Sequence, residues 1–202
     1  MFKEKRSAMV GILVLAVFLS LLTLTIPGKA LAAYECFLKI EGARQGNIQG
    51  EATAQGYAGW IDITTWSFSG TQPVGTQPVG AAGHGTGIAG HTLKVTMRLS
   101  KASPKLFQAF GTGEQFKTIL LEARQLGGPA IGVSATKTGS GQPFLRITLS
   151  NAIISSIIDL GNSKSTDPPM EEVTFKFTKV SMEYTGAGTP VKTEWSTPVK
   201  TE

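Results

Sequence analysis

The 202-residue chain has one Cys, two His and three Asp, and only 16% of its residues are charged. One Cys cannot close an intrachain disulfide, so a disulfide-stapled scaffold is excluded. Two His and one Cys cannot complete a zinc site from nitrogen and sulfur ligands alone. The three Asp, at positions 62, 159 and 167, are scattered and form no carboxylate pair of the glycosidase kind. No Ser stands in a G-x-S-x-G elbow, and no Gly-x-Gly step follows a strand pattern and opens a helix. The expectation is therefore a protein with no catalytic residues, no cofactor and no metal. Charge is below the ~25% usual in soluble domains, while 41% hydrophobic residues is too many for a disordered chain. One globular domain is expected.

The apolar residues begin at the N-terminus. Lys3, Lys5 and Arg6 precede an uncharged, mostly apolar run from Ala8 to Ile26, then a Pro27-Gly28 break and Ala30-Leu31-Ala32. A basic start, an apolar middle and small residues at the end form a secretory signal, with cleavage expected after Ala32. An uncleaved anchor is the competing reading, since 19 residues just reach across a bilayer. A lipidated Cys36 is disfavoured, because Ala33-Tyr34-Glu35 lacks the small residues such a Cys follows. Losing residues 1–32 removes four basic residues and one acidic, and lowers the formal charge from +5 to +2. No Lys/Arg cluster remains, so nucleic acid is not an expected partner, and membrane contact is expected only through the signal segment. The expected location is periplasmic or extracellular.

Strand patterns dominate the rest of the chain. Tyr34, Cys36, Leu38 and Ile40 alternate with polar positions and Phe37. Between Trp60 and Phe68 the apolar phase shifts near Thr64-Thr65, as a bulge would make it do. Leu93-Val95-Met97-Leu99 and Leu145-Ile147-Leu149 alternate cleanly, and 115–125 and 151–159 read as further strands. Val173, Phe175 and Phe177 give way to Val180, Met182 and Tyr184 in the opposite phase, implying a second bulge near Thr178-Lys179. One short helix is expected, with Ser103 as N-cap, Pro104 in the first position, Gly111 as the stop, and Leu106, Phe107 and Phe110 on one face. The fold expected is mainly β, a compact two-sheet barrel or sandwich with one helix. Residues 70–91, with a tandem TQPVG, and 127–143 read as loops. Residues 187–202 read as a mobile tail, in which TPVKTE occurs twice.

Few side chains invite a chemical role. His84 and His91 lie in a loop without carboxylates and read as ordinary solvent-exposed histidines. Cys36 falls on an apolar strand face and reads as a small buried hydrophobe. Trp60 and Trp66 fit core positions. The alternative is that they are stacking platforms of a monomeric secreted β-sandwich that binds carbohydrate.

Several blocks together carry a resemblance. Phe37-Leu38-Lys39-Ile40-Glu41-Gly42, followed by Gly59-Trp60-Ile61-Asp62-Ile63 and Trp66-Ser67-Phe68, resembles the opening of the hemolysin-coregulated protein (Hcp) family, the tube proteins of type VI secretion. Lys101 to Leu106 is similar to that family's helix start, Leu145 to Ile157 to its penultimate strand pair, and EEVTFKFTKVSMEY from Glu171 to its last strand. The resemblance covers Tyr34 to Thr185 in family order, giving a domain at 33–186 between the signal and the tail. It implies a β-barrel with one helix and no catalytic residue, assembling with copies of itself into hexameric rings that stack into tubes and carry effector proteins in the lumen. The family's long loop reaches a neighbouring subunit or ring. It corresponds here to residues 70–91, which makes Val74, Val79 and Ile88 the expected ring or stacking contacts. Two features depart from the family. Its tube proteins generally lack a signal peptide, and their loop is more charged than this Gly-rich duplication.

Overall fold

A computed structural model describes residues 34–70, 91–126, 142–186 and 189–196. The signal segment, Val74, Val79, Ile88 and His84 lie outside the described residues. Among the described residues, eight strands and one helix occur in the order β1 (Tyr34–Gly42), β2 (Asn47–Ile48), β3 (Ile61–Ser69), β4 (Thr92–Arg98), α1 (Ser103–Thr112), β5 (Gln115–Gln125), β6 (Pro143–Leu160), β7 (Met170–Tyr184) and β8 (Val191–Ser196).

The neighbour order β1-β3-β4-β7-β6-β5 returns to β1 through nine β1–β5 partner positions, from Tyr34↔Gln125 to Gly42↔Phe116. Six antiparallel strands thus close into a barrel and leave no open edge among themselves. The mainly β, one-helix barrel expected from the sequence is the one that forms, with its sheets continuous through β1 and β5. The barrel is filled by alternate residues of every strand, among them Leu38, Ile40, Leu93, Val95, Met97, Phe116, Ile119, Leu121, Ile147, Leu149, Val173 and Phe175, all fully buried.

The phase shift in β3 is a bulge: Ile63 faces Met97, but Thr65 faces Thr96, one residue out of step. In β7 burial does invert between Phe177 and Val180, but no residue is inserted there against β6. The irregularity lies across the ladder. Asn151 sits in the left-handed region at φ 52, between the Ser150–Lys179 and Ala152–Phe177 pairs. Asn tolerates that conformation better than most residues. The two strand patterns on either side of Asn151 are therefore one 18-residue strand, whose register against β7 shifts further along, between Ile154 and Ser156.

α1 differs from expectation at both ends. Ala102 is the N-cap residue and makes no side-chain cap, whereas Ser103 lies inside the helix and is buried. The stop is Gly113 at φ 61, not Gly111, and the Glu114 N–H reaches back to the Ala109 carbonyl at 2.9 Å, the six-to-one bond of a Schellman motif. Leu106 and Ala109 face the barrel, while Phe107 and Phe110 are 64% and 41% exposed. The three-residue apolar face expected from spacing is thus split between barrel and surface.

The tail expectation also needs correction. Val191–Ser196 forms β8 and pairs with β7 from Tyr184↔Val191 to Lys179↔Ser196. β6 runs along one edge of β7, so β8 shares the other edge with β4, which holds Arg98↔Met170 to Thr92↔Lys176. Alternation in Val191-Thr193-Trp195 supplies the strand. Trp195 anchors it, with its ring 6.0 Å from Phe177 and 4.3 Å from His91.

Candidate functional site

Three regions outside the barrel interior carry polar or apolar side chains in organised arrangements. The first lies on the outer face of β1 and β5. Phe37, placed by alternation among polar residues, is buried here because the segment between β2 and β3 folds over it. Its ring stacks on Tyr57 at 4.2 Å and 19°, and Trp60 meets Tyr57 edge-on at 5.0 Å. The Arg124 guanidinium lies over both rings, 5.2 Å from Phe37 and 4.9 Å from Tyr57. Arg124 also donates twice to Glu35 Oε2, at 2.8 and 2.9 Å, and once to the Gln55 carbonyl.

Beside this stack is a depression of about 620 Å³, lined in part by Tyr57, Glu122, Arg124, Gln142 and Arg146. Glu122 is its buried carboxylate, and both oxygens are taken: Oε1 by Arg146 Nε at 2.7 Å, Oε2 by the Tyr57 hydroxyl at 2.8 Å. Burial, reinforced by Glu122, pushes the Tyr57 phenol well above its ordinary value, and the hydrogen bond to Glu122 raises Arg146 further. A carboxylate that accepts from a guanidinium and a phenol locked in its neutral form braces the sheet. Arg146 also reaches Glu183 at 3.3 Å, which carries the charge pairing across β5, β6 and β7.

Two further carboxylates are buried. Glu114 accepts from the Arg44 and Gln45 backbone amides and from Gln45 Nε2 at 2.8 to 3.0 Å, which ties the end of α1 to the turn after β1. Desolvation acts to raise its pKa, but these donors prevail and hold the carboxyl below the usual range. Gly42 leaves room beside it, since a Cβ there would come within 2.5 Å of Glu114 Oε1 and the carboxylate would have to shift. Glu171 accepts from Ser103 Oγ at 3.0 Å, and burial together with the neighbouring Asp159 pushes its carboxyl up. Ser103 thus serves the barrel wall, and its hydroxyl also accepts from the Ser100 N–H at 3.1 Å.

The second and third regions are apolar and lie at opposite ends of the barrel. At one end the registers bring together Tyr34, Leu126, Phe144 and Tyr184, all at least partly exposed, with Phe144 edge-on to both tyrosines at 6.2 and 6.4 Å. At the other end, Leu99, Ile158 and Leu160 are 43%, 45% and 57% exposed, beside the Leu160↔Met170 pair. Large apolar residues gathered at two separate faces, with the exposed Phe107 and Phe110 on α1, mark surfaces suited to contact with other chains.

Of the residues singled out in the sequence, Cys36 is buried as expected, and burial pushes its thiol up to about 11, so it is not a thiolate at neutral pH. His91 is not a freely exposed side chain. It packs between Trp195 and Gly70, with Nδ1 buried and unpartnered. Trp60 and Trp66 both pack against buried clusters, so a sugar-stacking role finds no support. Among the described residues no group of three His, Cys, Asp or Glu is placed to hold a metal ion. The packing beneath Tyr57 and the pairing of β8 escape a reading of the sequence alone. The alternation Val191-Thr193-Trp195 is the one signal there for β8.

Comparison with known proteins agrees with this architecture. The family described as "Type VI secretion system effector, Hcp" matches residues 37–184. The protein hcp1 of Pseudomonas aeruginosa is 29% identical over 171 residues, covering 81% of this chain and 95% of that protein. Among solved structures, a type six secretion system protein aligns with a TM-score of 0.62 at 24% identity, covering 81% of this chain and 96% of its own. Hcp1 from Salmonella typhimurium aligns at 0.59 and 22%, with coverage of 81% and 94%. The match of the family to more than half of the chain, over the segment that builds the closed barrel, places this protein in the Hcp family of type VI secretion.

Proposed function

We propose that the chain is exported, is trimmed of its first 32 residues, and works outside the cytoplasm as a non-enzymatic ring-forming protein. Six copies associate side by side into a ring, and rings stack into a tube whose lumen holds effector proteins. The observation that carries this reading is the pair of unlike apolar faces at opposite ends of the barrel, Tyr34 with Leu126, Phe144 and Tyr184 against Leu99 with Ile158 and Leu160. A ring needs two different complementary patches on each subunit, because its contacts are heterologous and repeat until they close. A monomer gains nothing from leaving either patch exposed. Val74, Val79 and Ile88 are proposed as additional ring or stacking contacts on the strength of their place in the family's long loop.

Light scattering after size exclusion of residues 33–202 tests the reading. The expected mass is six chains or a multiple of six, and a strictly monomeric peak at high protein concentration would remove the reading. Leu160→Glu is expected to reduce that peak to smaller species while leaving the melting temperature within a few degrees, since a surface change away from core and caps shifts stability by about 0.5 kcal/mol or less.

A further inference from the structure

Among the described residues β8 is the one long strand outside the closed barrel. β7 takes one of its edges, and no described strand takes the other. Five of its six residues are exposed, Val191 at 66%, while Trp195 is partly buried against the core. The row of charges that leads to it is ordered. Across neighbouring strands the register runs Glu122, Arg146, Glu183 and then Lys192, with ion pairs at 2.7 Å for Glu122–Arg146 and 3.3 Å for Arg146–Glu183. The signs alternate from strand to strand, so the position beyond Lys192 calls for a carboxylate. Oppositely charged residues facing each other across strands stabilise a sheet, and like charges destabilise it.

We propose that this edge pairs with the same edge of a second copy of the chain, antiparallel and about a two-fold axis through Thr193. In that register Lys192 of each copy faces Glu194 of the other, whose carboxylate, ion-paired with Lys179 of its own chain, supplies the missing negative charge twice. On the opposite face of the strand Val191 meets Trp195 of the other copy, which covers the exposed valine beside an aromatic ring already held by Phe177 and His91. The segment is complementary to itself in this one register, because a shift by two residues sets Lys192 opposite Lys192 or Glu194 opposite Glu194. One six-residue pairing is small beside the ~1,200 Å² of a stable protein interface. It gains strength by repetition, as when six edges of one ring meet six of another, so its full effect rests on the ring reading above.

Native mass spectrometry of the purified protein, together with single-residue variants, decides this. The wild type is expected to show twice the mass of its basic assembly. Lys192→Glu alone and Glu194→Lys alone each bring like charges together at both contacts, and each is expected to show the single assembly. Mixing the two variants restores both opposite-charge contacts and is expected to restore the doubled mass, a recovery that damage to β8 within either chain cannot produce. Doubling that is indifferent to these changes, or that fails to return on mixing, would overturn the proposal. Thr193→Cys gives an independent reading. Residues directly opposite in an antiparallel pair stand about 4.5–5.5 Å apart at Cα, within disulfide range. Mild oxidation should therefore give covalent dimers, with the buried Cys36 taking no part, and their absence would count against the two-fold. If no six-chain species exists in any variant, the ring reading fails separately. Monomer-to-dimer doubling with the same charge dependence then still sustains the β8 pairing, and monomers alone overturn it.

Discussion

Glu114 and Glu171 are both almost fully buried, at 2% and 1% exposure, yet they respond to acid in opposite ways. Glu114 is held below the usual carboxylate range by its amide donors, so the stability it contributes is present above that range and lost as pH falls through its lowered value. Glu114→Ala leaves the Arg44 and Gln45 amides without their acceptor and is expected to cost about 2 kcal/mol at pH 7. Urea titrations at pH 7 and pH 4 should show this deficit shrinking in acid. Glu171 is pushed up by burial and by Asp159, so its favourable neutral form is populated in acid and lost as pH rises through the raised value. Glu171→Gln keeps an acceptor for Ser103 and removes the buried charge. It should raise the melting temperature at pH 7 and change little near pH 4, and a lower melting temperature at pH 7 would contradict this. Cys36 was legible from alternation because its environment is set by its own strand. Phe37 was not, because its burial depends on a segment that returns over it from residues 49–60, and no local period records such a return.

The strands were legible where one face meets the core and the other meets water, as in β4 and the first half of β7. The bulge in β3 was legible for the same reason, since an inserted residue reverses the phase of burial. The bulge expected in β7 corresponds to the left-handed Asn151 across the ladder in β6, because a phase inversion in one strand does not reveal which strand of the pair carries the irregular residue. The ends of α1 were misread because Ser103 and Gly111 suit caps by residue type, while tertiary packing uses Ser103 for Glu171 and leaves Gly113 to adopt the left-handed turn. The tail was misread because a duplicated, Pro-containing segment resembles a linker until its alternation is placed against β7. β8 depends on Trp195, which packs with Phe177 and His91. Trp195→Ala is therefore expected to abolish amide-exchange protection across 191–196 and to leave β1, β5 and β6 protected. Protection of 191–196 equal to wild type would show that the strand is held by something else.

For the molecule as a whole, the scarcity of Cys, His and Asp fits the proposed role, in which the protein works through its surfaces. The six principal strands close into a barrel, the Glu122 carboxylate is held by bracing partners, and the remaining organised features among the described residues are the apolar ends and the long free edge of β8. Fold and family were legible because the barrel's strand blocks recur in order along the chain. The proposed assembly is suggested in the sequence only by resemblance, since any complementarity between surfaces arises after the chain has folded. Negative-stain microscopy of residues 33–202 would make the ring visible if it forms. Class averages are predicted to show rings with six-fold symmetry, and a field of isolated single barrels at the same concentration would contradict the ring.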